Sequence, residues 1–70
     1  MLAGMISVRS SNLRAVGYDG ELLVIEFHGG RVYEYYGVPS ATHSGLMRAS
    51  SHGTYFHRYI RDRYAYRRVA

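Results

Sequence analysis

Three short stretches in the first half of the chain carry apolar residues in strand-like patterns. Residues 13–18 are rich in strand formers, 22–27 run almost continuously apolar before Glu26, and 31–36 alternate between Val, Tyr and polar positions. Asp19-Gly20 separates the first two stretches and is a strong hairpin dipeptide. His28-Gly29-Gly30 separates the second and third. The pattern predicts a three-stranded antiparallel meander. Its register follows from loop length, because a slip of one residue sends a whole strand's side chains to the other face. A two-residue Gly29-Gly30 turn would set Glu34 opposite Ile25. A three-residue loop with Gly30 in the left-handed conformation pairs Phe27 with Arg31, Ile25 with Tyr33 and Leu23 with Tyr35, and so gathers the apolar residues on one face. The second register is the one expected. The opposite face then carries Leu22, Val24, Val32 and Tyr36 around Glu26 and Glu34, which is too apolar for full solvation and needs a cover.

Beyond Gly37 the period changes. Pro39 suits the first turn of a helix, and a short helix is expected over residues 40–49, where Val38, Thr42, Leu46 and Ala49 form one weakly apolar stripe broken by Gly45. The small residues of that stripe point to close packing. A break at residues 50–53 offers Ser as an N-cap, and a second helix is expected over 53–63 with Phe56, Tyr59, Ile60 and Arg63 along one side. The end of the chain alternates from Tyr64 to Val69 and predicts an additional C-terminal edge strand. The fold class expected is α+β, with both helices on one face of a small sheet.

Length and charge narrow the field. Seventy residues allow one small domain, expected over 6–69 with residues 1–5 as a dispensable leader, and a core of that size gains from self-association. The chain has no Cys, which removes disulfide frameworks, thiolate metal sites and cysteine nucleophiles and suggests a cytoplasmic protein. Hydrophobic residues at 47% and charged residues at 20% mark a folding sequence, and no apolar run reaches membrane-spanning length. The net charge of +4 is unevenly spread. Residues 1–47 carry Arg9, Arg14 and Arg31 against Asp19, Glu21, Glu26 and Glu34, a balance of −1. Residues 48–70 carry Arg48, Arg58, Arg61, Arg63, Arg67 and Arg68 against Asp62, a balance of +5. Every basic residue is Arg, the side chain suited to bidentate phosphate contacts and to stacking, and a basic half points to an anionic partner.

The ordered set Val8-Arg9-Ser10-Ser11-Asn12-Leu13, Val16-Gly17-Tyr18-Asp19, Val24-Ile25-Glu26-Phe27, Gly30, Tyr33-Glu34-Tyr35, Val38-Pro39, Ala49-Ser50, Gly53-Thr54-Tyr55-Phe56, Ile60 and Tyr64-Ala65-Tyr66 resembles the KTSC domain family. The resemblance spans residues 6–69 in matching order. It departs at His57, where Asn is expected, and in a hairpin at Asp19-Gly20 that is shorter than usual. The family takes its name from a C-terminal appendage of some lysyl-tRNA synthetases and also occurs free-standing. The resemblance therefore implies a small independent domain, with RNA binding suggested by the synthetase fusion.

Candidate chemistry is sparse. His28, His43, His52 and His57 lack ligand spacing to one another and to any carboxylate, so they are expected on the surface or capping a helix end, and no metal or cofactor is expected. Glu26 and Glu34 share a sheet face, but exposed strand carboxylates that discourage edge pairing are far commoner than an acid/base pair, and no nucleophile motif or phosphate-cradling Gly loop accompanies them. No catalytic residues are expected. Eight Tyr in 70 residues stand out, since binders of single-stranded RNA combine cationic grooves with aromatic platforms. Tyr33, Tyr35 and Tyr59 are expected in the core. The function expected is a small non-catalytic RNA-binding module, with a tRNA among its candidate ligands and other anionic partners open. In it Arg58, Arg61, Arg63, Arg67 and Arg68 contact phosphates while Tyr55, Tyr64 and Tyr66 stack on bases. The alternative is a protein-interaction or homodimerisation module that buries Leu22, Val24, Val32 and Tyr36.

Overall fold

Five antiparallel strands stand side by side in chain order: β1 (Ile6–Ser7), β2 (Leu13–Tyr18), β3 (Leu23–Phe27), β4 (Val32–Tyr35) and β5 (Tyr66–Arg68). The computed structural model describes residues 4–70. Between β4 and β5 come α1 (Ser40–Arg48) and α2 (His52–Tyr59), and their buried residues join one face of the sheet in a single core. The fold is α+β. The expected meander forms the centre of the sheet and the expected edge strand is β5. Strand β1 was not anticipated. Of the expected leader, residues 1–3 lie outside the described residues, whereas the Met5 sulfur lies 2.6 Å from where a Cβ on Gly17 would stand, over the face of the sheet away from the helices.

Register decides which residues reach the core. Leu23 pairs with Tyr35 and Ile25 with Tyr33, and the Phe27 N–H donates to the Arg31 carbonyl at 2.8 Å, as the three-residue loop requires. Gly29 and Gly30 take φ of +100° and +93°, which a side chain would oppose. At the other hairpin four residues, 19–22, separate β2 from β3, one more than the expected strands leave. Asp19 Oδ1 accepts from the backbone N–H groups of Glu21 and Leu22, so the carboxylate organises the turn beside Gly20. Arg14 is an extra residue in β2, where the pairing shifts between Leu13 and Ala15, and this bulge lets Leu13 and Val16 both reach the core.

The core consists of Leu13, Val16, Leu23, Ile25 and Tyr35 from the sheet, Val38 before α1, Leu46 of α1, and Phe56 and Ile60 from α2 and its cap. At Gly45 of α1 the helices pack closely, because the Tyr55 ring end occupies the space a Cβ there would need. Ser51 caps α2 through its hydroxyl, which accepts from the Thr54 N–H. The helix ends at Tyr59, four residues before the expected Arg63. Arg61 N–H bonds back to the Phe56 carbonyl, Asp62 takes a left-handed φ of +62°, and the chain turns to lay Tyr66 beside Tyr35. A helix continued to Arg63 would leave two residues to make that return.

Candidate functional site

The two helices cover the sheet unequally. Over β2 and the start of β3, α1 closes the face: Tyr18 stacks on His43 with ring centroids 4.2 Å apart and donates its hydroxyl to the Val38 carbonyl at 2.6 Å. Over the other end, a groove of about 430 Å³ opens between α2 and strands β3, β4 and β5. Its floor and walls are aromatic: Phe27, Tyr33, Tyr35, Phe56 and Tyr66. Alternation puts them there, since Phe27, Tyr33, Tyr35 and Tyr66 all fall on the helix face of their strands.

The rings hold one another. Tyr33 lies 5.7 Å from Phe27 edge-on, 6.3 Å from Tyr35 and 5.9 Å from Tyr66, while Tyr35 meets Phe56 edge-on at 5.5 Å. Tyr35 is buried and Tyr33 half-buried, but Tyr66, on the edge strand, is 56% exposed. Burial of the Tyr35 ring pushes its hydroxyl up to about 12, with the neighbouring Tyr33 and Tyr66 adding to the rise. Cations flank this wall. The Arg31 guanidinium lies 5.6 Å from the Phe27 ring centroid, and Arg61 reaches His57 Nε2 at 3.0 Å and stays 4.0 Å from the exposed Asp62 carboxylate. Ser11, Asn12, His28 and Gly53 close one end, where His28 Nε2 is 2.9 Å from the Ser10 carbonyl.

The fold is matched elsewhere. The model of the KTSC domain matches residues 9–64. The chain belongs to the KTSC domain family. A crystal structure of a KTSC domain protein from Yersinia pestis superposes with a TM-score of 0.88 at 33% identity, over 94% of this chain and 96% of that one. An uncharacterized protein of Stutzerimonas stutzeri is 36% identical over 91% of this chain and 94% of its own length. A lysine–tRNA ligase of Nostoc is 31% identical over 94% of this chain, which corresponds to 12% of that enzyme.

In this KTSC domain the residues expected to meet nucleic acid do not form one surface. Arg61 and Tyr66 line the groove, and Arg68 stands beside Tyr33 on the same face, with its Nε–H donating to the Ala70 carbonyl. Arg67 alternates to the opposite face, where it pairs with Glu34 at 3.5 Å. Arg58 is two residues from Phe56 and so on the solvent side of α2, and Arg63 is exposed beyond the helix. Tyr55 packs on Gly45 and against Tyr59, and Tyr64 is half-buried, 3.5 Å from the Thr42 hydroxyl. These two rings fill space between elements and do not line the groove. Tyr59, expected in the core, is 48% exposed.

The other sheet face is also divided. Val32 is 4% exposed, and its N–H donates to the Ala70 carbonyl, which extends the β4–β5 pairing to the end of the chain. Leu22 and Val24 are half-buried and Tyr36 is exposed, with its hydroxyl on Glu34 at 2.9 Å. Glu26 has Arg14 at 3.9 Å. Each carboxylate of the supposed acid/base pair therefore has its own cation. His52 does cap a helix end, with Nδ1 2.8 Å from the Leu46 carbonyl.

Sequence reasoning missed Phe27, Arg31 and Tyr33 as groove residues. The strand register placed all three on the helix face. The groove is assembled by pairing across β3, β4 and β5 beside α2, which no single segment of the sequence displays.

Proposed function

We propose that this KTSC domain binds single-stranded RNA along the groove, as a binding module without catalysis of its own. The observation that carries the reading is the groove itself, an aromatic wall with a solvent-facing Tyr66 ring and the guanidinium groups of Arg31 and Arg61 in one cavity. Its volume falls in the range of sites that take a small ligand, or one nucleotide of a strand. Arg31, Arg61 and the adjacent Arg68 neutralise phosphates, and a base stacks on the outward face of Tyr66. The similarity to part of a lysine–tRNA ligase supports RNA as the anionic partner. The ion pairs that occupy Glu26 and Glu34 favour binding over acid/base chemistry.

Titration of a labelled single-stranded RNA of about ten nucleotides at several salt concentrations tests this. Three neutralised phosphates give a slope of log affinity against log salt near −2, from roughly −0.7 per contact. Arg31→Gln with Arg61→Gln flattens it, while Arg67→Gln on the far face leaves it unchanged. No binding at low salt, or a double variant that binds like wild type, overturns the reading.

A further inference from the structure

Tyrosine hydroxyls in this domain fall into two sets. Those of Tyr18 and Tyr36 donate within the chain, and that of Tyr64 lies beside Thr42. Among the described residues, no intrachain hydrogen bond engages the hydroxyls of Tyr33, Tyr35, Tyr55, Tyr59 or Tyr66, and of these five Tyr33, Tyr35 and Tyr66 line one groove. Tyr33 and Tyr35 are not exposed residues, and no side-chain oxygen in the described chain is both sealed from solvent and unpaired. Their hydroxyls therefore reach solvent although their rings are packed, and the groove is the cavity that both residues line. Three tyrosines with unpaired donors around one cavity are a costly arrangement to seal without an acceptor.

The ring faces are largely spent on each other. Tyr33 has Phe27 at its edge and Tyr35 and Tyr66 beside it, and Tyr35 has Phe56 and Tyr66 at 5.5 and 5.8 Å. What the inner tyrosines offer a ligand is the O–H end, not the π face. We infer that the hydroxyls of Tyr33, Tyr35 and Tyr66 act with the guanidinium groups of Arg31 and Arg61 as a clip for a backbone phosphate of the bound RNA. This rests on the RNA reading above and assigns the groove to the phosphate, with base stacking confined to the outer face of Tyr66. Hydroxyl donors and guanidinium forks are the groups that phosphate oxygens accept from, and two cations beside neutral donors select an anion over a base edge. Asp62 opposes the clip, because its carboxylate lines the same groove near Arg61.

Tyr→Phe variants separate the two uses of the ring, since Phe keeps packing and stacking and loses only the donor. Tyr33→Phe and Tyr66→Phe each lower affinity for the single-stranded RNA about tenfold, the scale of one hydrogen bond to a charged group. Melting temperature stays at the wild-type value, as no intrachain bond is lost. Asp62→Asn raises affinity. With an oligonucleotide of the same sequence carrying uncharged methylphosphonate linkages, the penalty for Phe disappears. Phe variants that bind RNA as tightly as wild type, while Tyr66→Ala weakens binding, overturn the clip and leave the RNA reading standing. A wild-type domain that binds no RNA at any salt overturns both.

Discussion

The closed end of the molecule under α1 and the open end beside α2 are built from the same materials and differ in how completely the aromatic residues are used. At the closed end Tyr18 has its ring stacked on His43 and its hydroxyl on the Val38 carbonyl, so both the apolar body and the polar tip are satisfied within the chain. At the open end Tyr33 and Tyr35 have packed rings and free tips, and Tyr66 has a free face as well. A half-satisfied aromatic cluster in a domain this small is stability left unrealised, and Arg31 and Arg61 stand beside it.

The largest expected difference between the two ends is in truncation. Leu46, fully buried at the closed end, should cost about 2–5 kcal/mol as Leu46→Ala, a large part of a small domain's stability. Tyr66→Ala removes a more exposed ring from an edge strand and should cost under about 1 kcal/mol while weakening RNA binding. Thermal melts of both variants check the contrast. Equal losses would make the groove wall as structural as the core and remove the comparison.

A smaller effect sharpens the description of the closed end. Gly45→Ala in a helix ordinarily gains about 1 kcal/mol from propensity alone. Here the Tyr55 ring end fills the space of the new Cβ, and overpacking of that kind costs about 1–3 kcal/mol, so the net change should be destabilising. In a Tyr55→Ala background the same substitution should become stabilising, and melts of the four variants in the cycle measure the reversal. Gly45→Ala that stabilises the otherwise wild-type chain would show that Tyr55 yields readily and that the helix contact is loose.

Parts of both ends were legible in the sequence. Loop chemistry at His28-Gly29-Gly30 and the requirement that apolar residues share a face were enough to set the β3–β4 register, and the Val38/Leu46 spacing located the buried stripe of α1. Extra structure entered where local pattern is weak: β1 has two residues, and the bulge at Arg14 leaves no signature in composition. The candidate site was legible only in part. Charge and tyrosines along the chain directed attention to Arg61, Arg68 and Tyr66, which stand at or beside the groove, yet adjacent residues in a strand face opposite ways, so Arg67 departs from the groove that Arg68 borders. Arg31 lies in the acidic half of the sequence and joins the site through pairing across β3 and β4, which no tally of charge by segment anticipates. Tyr33 and Tyr35 were treated as one pair, whereas their position relative to the end of α2 makes one a buried floor and the other a wall.

The smallest expected effect is a pH dependence confined to the closed end. Burial lowers the His43 imidazole below its ordinary 6.5, because the charged form would lose solvation beside Tyr18. The unfolded chain therefore takes up a proton at His43 more readily than the folded one. Above 6.5 both states are neutral there and nothing is lost; as pH falls through 6.5 toward the lower folded value, proton uptake favours unfolding and stability declines. Asp19 also has its carboxyl held low, by the N–H groups of Leu22 and Glu21, but its contribution fades only as pH drops below the ordinary 3.8. The two windows are separate. His43→Phe keeps an aromatic ring for the stack and removes the titration, so the wild-type melting temperature should fall between pH 7.5 and 5 by more than that of the variant. The difference between the two chains isolates His43 from every other titrating group. Parallel falls would mean that the imidazole is as well solvated as in the unfolded chain, and that α1 does not close its end of the sheet as tightly as the Tyr18 stack implies.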